Sequence, residues 1–125
     1  MKLKSILRNF QFSLRLFLRT DDRFRRVDRC IELLFIKDCY YLFPDANLAD
    51  FSRLVNITEQ DISSYIREKY DLSFDDLCTC FRLKRMEELL DNSVSDSLTM
   101  NALIERSGFK SLEDFYLAYK KKNAS

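Results

Sequence analysis

The chain has no histidine and no tryptophan, and its 125 residues include one glycine, Gly108, and one proline, Pro44. Without histidine it lacks the usual general base and the commonest neutral metal ligand. A single glycine cannot build a glycine-rich phosphate loop. No nucleophile stands with a plausible base, and paired acids such as Glu87 and Glu88 read as a solvated helix face, so the expectation is a protein that is not an enzyme and carries no cofactor. An all-β chain needs more turn residues than this one has, which points to helices with short connections. No apolar run approaches the roughly 20 residues of a membrane span. The four cysteines, Cys30, Cys39, Cys78 and Cys80, lack the spacing of paired zinc knuckles. Cys78 and Cys80 would point about 200° apart on a helix. Buried thiols in a reducing cytoplasm are expected, with no metal.

Apolar residues make up 46% of the chain, and eleven Phe with six Tyr make the expected core aromatic. The length suits one domain, or one domain with a helical extension. The net charge of +1 hides a split: residues 1–29 hold nine Lys or Arg against three Asp, while residues 30–125 hold twelve basic against seventeen acidic residues.

Residues 1–20 read as a basic amphipathic helix, with Leu3, Leu7, Phe10, Leu14 and Phe17 at 3–4 spacing and Lys2, Lys4, Arg8, Arg15 and Arg19 as its charges. Three readings stay open for it: packing on the domain or on a second copy of the chain, an arm along a phosphate backbone, and a membrane-surface or targeting helix. Residues 22–43 read as a second, longer helix, with Phe24, Val27, Ile31, Leu34, Phe35 and Cys39 on one face and Pro44 as its stop. Its surplus of apolar positions fits a dimer or protein contact, or shielding by the first helix. Whether residues 1–43 belong to the core of the following domain, 44–125, is open.

Asn47 is expected to cap a helix running to about Val55, with Leu48, Phe51, Leu54 and Val55 inward. Asn56 suits a left-handed turn. Thr58 caps the next helix, with Ile62, Tyr65 and Ile66 inward. Ser73 caps a long helix to about Leu90, cored by Phe74, Leu77, Phe81, Met86, Leu89 and Leu90. A polar loop, residues 92–97, follows. In LTMNALIERSGFKSLEDFYLAYKKK, residues 98–122, Leu98, Ala102, Leu103 and Ile104 give one helix its apolar stripe. Gly108 supplies the left-handed end of that helix. Ser111 caps the last helix, whose expected buried face is Phe115, Tyr116 and Tyr119. Asp50, Asp61, Asp76 and Asp114 each stand three residues after a cap, where a carboxylate favours the helix dipole.

The run SGFKS, then FY, then YKK, resembles the second helix-turn-helix of AraC-type transcription regulators, and residues 47–66 resemble the first. The opening LFPDANL is similar to the lead-in of Bacteroidota members. The resemblance covers Asn47 to Lys122. It implies an all-α fold of two helix-turn-helix subdomains joined by a long linker helix, here preceded by two extra N-terminal helices. Arg82 falls at the linker helix's characteristic arginine, with Met86 in place of the usual alanine. Ile104 stands where the second motif usually has alanine, which implies a wider crossing angle or a shifted recognition helix; Ser52 keeps the matching position of the first motif small.

The resemblance further implies a cytoplasmic regulator binding double-stranded DNA, with the second helix of each motif in the major groove. The matching positions are Glu59, Gln60, Ser63 and Ser64 in the first motif, and Lys110, Ser111, Leu112, Glu113, Asp114 and Leu117 in the second. Arg67, Lys69 and Arg82 fall near the backbone or core, and Lys120, Lys121 and Lys122 on phosphates. Leu112, Glu113 and Leu117 depart from the family's basic or small polar residues. They point to the alternative function, a helical protein-interaction module that kept the fold and lost sequence-specific DNA binding.

Overall fold

The computed structural model describes residues 22–91 and 98–124, all of them in helices or short connections, with no strand among them. The basic segment 1–20, the loop 92–97 and Ser125 lie outside the described residues. The α-helices are α1 (Asp22–Cys30), α2 (Leu48–Val55), α3 (Glu59–Tyr70), α4 (Phe74–Asp91), α5 (Met100–Ser107) and α6 (Leu112–Ala124). Among the described residues no helix is long and apolar enough to cross a membrane.

The single helix expected over 22–43 is not formed. α1 continues as a wider π-helical stretch, Ile31–Lys37, closed by a 3.0 Å bond from the Asp38 N–H to the Leu33 carbonyl. The chain then reverses at Cys39, in the left-handed region with φ 58°, and makes one 3-10 turn, Tyr40–Leu42, before Pro44. Cys39 therefore belongs to a turn and not to a helix face. The reversal carries Tyr41 into the interior, 5.8 Å from the Phe35 ring and 5.3 Å from Phe81. Burial of an aromatic ring outweighs the small cost of one non-glycine residue in that conformation.

Caps set the remaining boundaries. The Asn47 side chain accepts from the Asp50 N–H at 2.8 Å, Thr58 from Asp61 at 3.1 Å and Ser73 from Asp76 at 3.1 Å. Thr99 accepts from Ala102 and Ser111 from Asp114, both at 3.1 Å. α2 ends on Asn56, φ 56°, and α5 on Gly108, φ 92°. Ser52 closes the first of these turns twice. Its carbonyl accepts from the Ile57 N–H at 3.2 Å, and its hydroxyl donates to the Ile57 carbonyl.

Two apolar cores form, and α4 runs through both. The first gathers Val27, Ile31, Phe35, Tyr41, Phe51, Ile57, Ile62, Tyr65 and Ile66 around Phe74, Leu77 and Cys78 of α4. Its centre is Phe35, fully buried, with five rings around it between 5.5 and 6.5 Å. The second core is smaller: Leu83 and Met86 of α4 with Leu103, Ile104 and Phe109. The described part of residues 1–43 is thus integral to the first core. Leu54 and Leu90, expected inward, are exposed, and Leu83, not among the expected core positions, is buried. Tyr116 and Tyr119 are exposed as well; Phe115 and Ala118 make the inner side of α6. In α6 the buried stripe is one position off the expected one, while in α2 and α4 only the edges of the stripe miss, because the neighbouring helix crosses at an angle that the isolated period does not define.

Candidate nucleic-acid interface

α3 is the best-anchored of the two candidate recognition helices. Ile62, Tyr65 and Ile66 hold it in the first core with no solvent exposure. The Tyr65 hydroxyl donates to the Asp28 carboxylate of α1. Lys69 Nζ donates to Asp28 Oδ1 at 2.9 Å and to the Tyr65 oxygen at 3.2 Å. Burial first, then the bond to Asp28, pushes the Tyr65 phenol well above its ordinary value, so it stays a neutral donor. This pin joins α1 to α3 across 41 residues of chain. It also fixes Lys69, which the resemblance set near the DNA backbone or the core, inside an ion pair.

The outer side of α3 is polar. Glu59, Gln60, Ser64 and Arg67 are exposed, and Ser63 is half-buried. These are the groups that α3 offers to a ligand: one amide, two hydroxyls, one carboxylate and one guanidinium.

α6 differs. Leu112, Glu113, Tyr116 and Leu117 are all exposed on it. Ser111 is exposed and occupied as the cap. Lys110 Nζ lies 3.0 Å from the Asp45 carboxylate, which the sequence pattern did not single out. Lys120 lies over the Tyr116 ring at 5.3 Å. Lys121 faces Asp76 at 4.0 Å and Lys122 pairs with Glu87, both acids of α4. The lysine end of α6 thus leans on the central helix. All these pairs are substantially exposed and each contributes little, on the order of 0–1 kcal/mol.

Between the two helix pairs lies a junction. Arg82 Nε of α4 donates to the Tyr41 carbonyl at 2.8 Å, and its Nη2 to the Phe43 carbonyl at 2.9 Å. Gly108 presses on the same turn: a Cβ there would lie 2.7 Å from the Tyr41 carbonyl oxygen and 2.9 Å from Leu42 Cα. Gly108 is needed for its positive φ and again for this close approach. One arginine and one glycine thereby tie the 3-10 turn, the central helix and the α5–α6 turn together. The resemblance flags Arg82 but not its acceptors, which lie about forty residues upstream.

The thiols are divided by position. Cys78 is buried and its pKa pushed up to about 12 by burial, so it stays protonated; Cys80, on the other side of α4, is exposed. Among the described residues no three Cys, Asp or Glu side chains gather as a metal site.

The fold and its surface define a small all-α protein with two helix pairs set along a central helix. No family model matches the chain, and neither a curated protein nor a solved structure matches it.

Proposed function

We propose that the chain is a DNA-binding transcription regulator of AraC-like architecture, with α2–α3 and α5–α6 as its two helix-turn-helix units and α4 as the linker. The observation that carries this reading is the repeated arrangement at the two ends of α4. Each unit is a short helix ended by a left-handed residue, Asn56 or Gly108, then a helix opened by a hydroxyl cap, Thr58 or Ser111. Arg82 and Gly108 hold the two units in one fixed relation, which a protein reading two groove segments needs.

In this reading α3 is the principal reader. Gln60, Ser63 and Ser64 contact base edges, Glu59 accepts from a cytosine amino group, and Arg67 takes a phosphate. Lys69 supports α3 through Asp28 instead of touching DNA. In the second unit Lys110, Ser111 and Glu113 stand at the groove-facing end, and Lys120, Lys121 and Lys122 supply positive charge. The cell compartment in this reading is the cytoplasm. A second reading, a helical interaction module that no longer reads sequence, is favoured by one specific observation: the apolar outer face of α6.

Fluorescence anisotropy of the full chain on mixed-sequence duplex DNA, across a salt titration, separates the two. The expected result is a steep loss of affinity between about 50 and about 200 mM salt, the mark of several phosphate contacts. Arg67→Ala should weaken binding to all sequences alike, whereas Gln60→Ala should change which sequence is preferred. No binding at the lowest salt rules out the regulator reading.

A further inference from the structure

α6 is 13 residues long and none of them is fully buried. It rests on the second core through Phe115 and Ala118. Its outward side carries Leu112, Tyr116 and Tyr119, with exposures of 51%, 55% and 50%. These recur at i, i+4 and i+7 and make one continuous apolar stripe. The stripe has charged ends of opposite sign. Glu113 lies in the first turn of α6, and Glu105 of α5 lines the same groove as Leu112, where Lys110 is paired with Asp45. Lys120 follows Tyr119 at the other end.

We propose that this face of α6 is a self-association surface, pairing with the same face of a second copy of the chain, the two helices antiparallel about a two-fold axis. The charge order selects both the occupant and the direction. Antiparallel pairing sets Glu113 beside the partner's Lys120, and the two-fold axis makes that contact twice. Parallel pairing would set Glu against Glu and Lys against Lys, which is repulsive. The apolar stripe then meets its own copy, as in other helix-to-helix contacts. The helix is about 20 Å long, and its stripe falls short of the roughly 800 Å² per partner of a standard interface. The dimer is therefore weak and transient, and it loosens as salt screens the end charges. Pairing of this kind needs no DNA. On the DNA-binding reading, on which this consequence alone rests, α6 either enters a groove or pairs with its copy, since Glu113 and Lys120 serve both, and the paired form carries two α3 helices to paired half-sites.

The test is sedimentation equilibrium of the full chain without DNA, from about 5 to about 500 µM, which gives the dissociation constant over a range that reaches weak association. Tyr116→Glu should raise that constant at least about tenfold. Glu113→Lys and Lys120→Glu should each weaken the dimer to a similar degree, since each sets like charges together. An equimolar mixture of the Glu113→Lys chain and the Lys120→Glu chain should dimerise again, because both cross-contacts are then opposite in sign. Recovery on mixing also shows that both variants are folded. A chain that is monomeric at every concentration overturns the proposal and leaves the basic segment 1–20 or an unrelated protein as the occupant of the stripe. Dimerisation that Tyr116→Glu and both charge reversals leave unchanged overturns it equally.

Discussion

α3 and α6 are built by the same local rules and end up with opposite surfaces. Each follows a left-handed turn residue, and each is opened by a hydroxyl that accepts a 3.1 Å bond from the backbone three residues on. Yet α3 buries three large side chains completely and shows water a polar face, while α6 buries none and shows water Leu112, Tyr116, Leu117 and Tyr119. The difference lies in what surrounds them. α3 is clasped by α1, with Asp28, Tyr65 and Lys69 joined across the contact, and packs into a core of stacked and edge-on rings. α6 has α4 and α5 behind it and only a small core to lean on. Capping decides that a helix starts; the number of elements packed around it decides which faces it can bury.

The comparison can be broken most forcefully at Phe35. Phe35→Ala should cost about 3–5 kcal/mol, since it empties the centre of the larger core, and urea denaturation followed by circular dichroism should show the midpoint moved well down. If the two halves still unfold together with an unchanged midpoint, the ring cluster is not what anchors α3. Gly108→Ala comes next, at about 2–4 kcal/mol, because the new Cβ meets backbone and the φ of 92° is unfavourable for alanine. Its effect should fall on both halves, since Gly108 touches the turn that precedes α2. Arg82→Met should cost about 1–3 kcal/mol by removing the charged donor from two carbonyls, and it should split one unfolding transition into two. A single transition in that variant would mean that the continuity of α4 suffices to couple the halves.

The smallest expected effect is alkaline. Cys78 and Tyr41 are acids whose protons are held more tightly in the folded chain. Burial pushes Cys78 from 9.0 to about 12; burial, with a hydrogen bond to Cys39, pushes Tyr41 from 10.0 to about 12. The stability they contribute is fully present below 9.0 and 10.0 and is lost as pH rises through about 12. Urea midpoints should therefore be level up to about pH 8 and decline by about pH 11. The Cys78→Ala variant should show a shallower decline, and an equally steep one would point to other groups.

Much of the local framework was legible in the chain. Asn47, Thr58, Ser73 and Ser111 are all caps, and Asn56 and Gly108 both take the left-handed conformation, because these features depend on a few consecutive residues. Phe51, Ile62, Tyr65 and Ile66 were legible as core for the same reason of period. The turn at Cys39 was not, since no glycine or asparagine marks it and its cause is the seat that Tyr41 finds between Phe35 and Phe81. Nor could the pattern see that Lys69 is held by Asp28 and Lys110 by Asp45. Charged residues paired across distant stretches of chain carry no local signature.

The sequence by itself determined an all-helical chain, where most of its helices begin and end, and which residue types lie near the two outer helices. Those are short-range matters of hydrogen-bonding at helix ends and of apolar period. Tertiary structure alone decided that residues 24–42 complete the first core, that Arg82 and Gly108 lock the halves at one turn, and that α6 turns its tyrosines outward. A side chain's partners depend on which helices cross it and at what angle, and that angle is a property of the whole packed set.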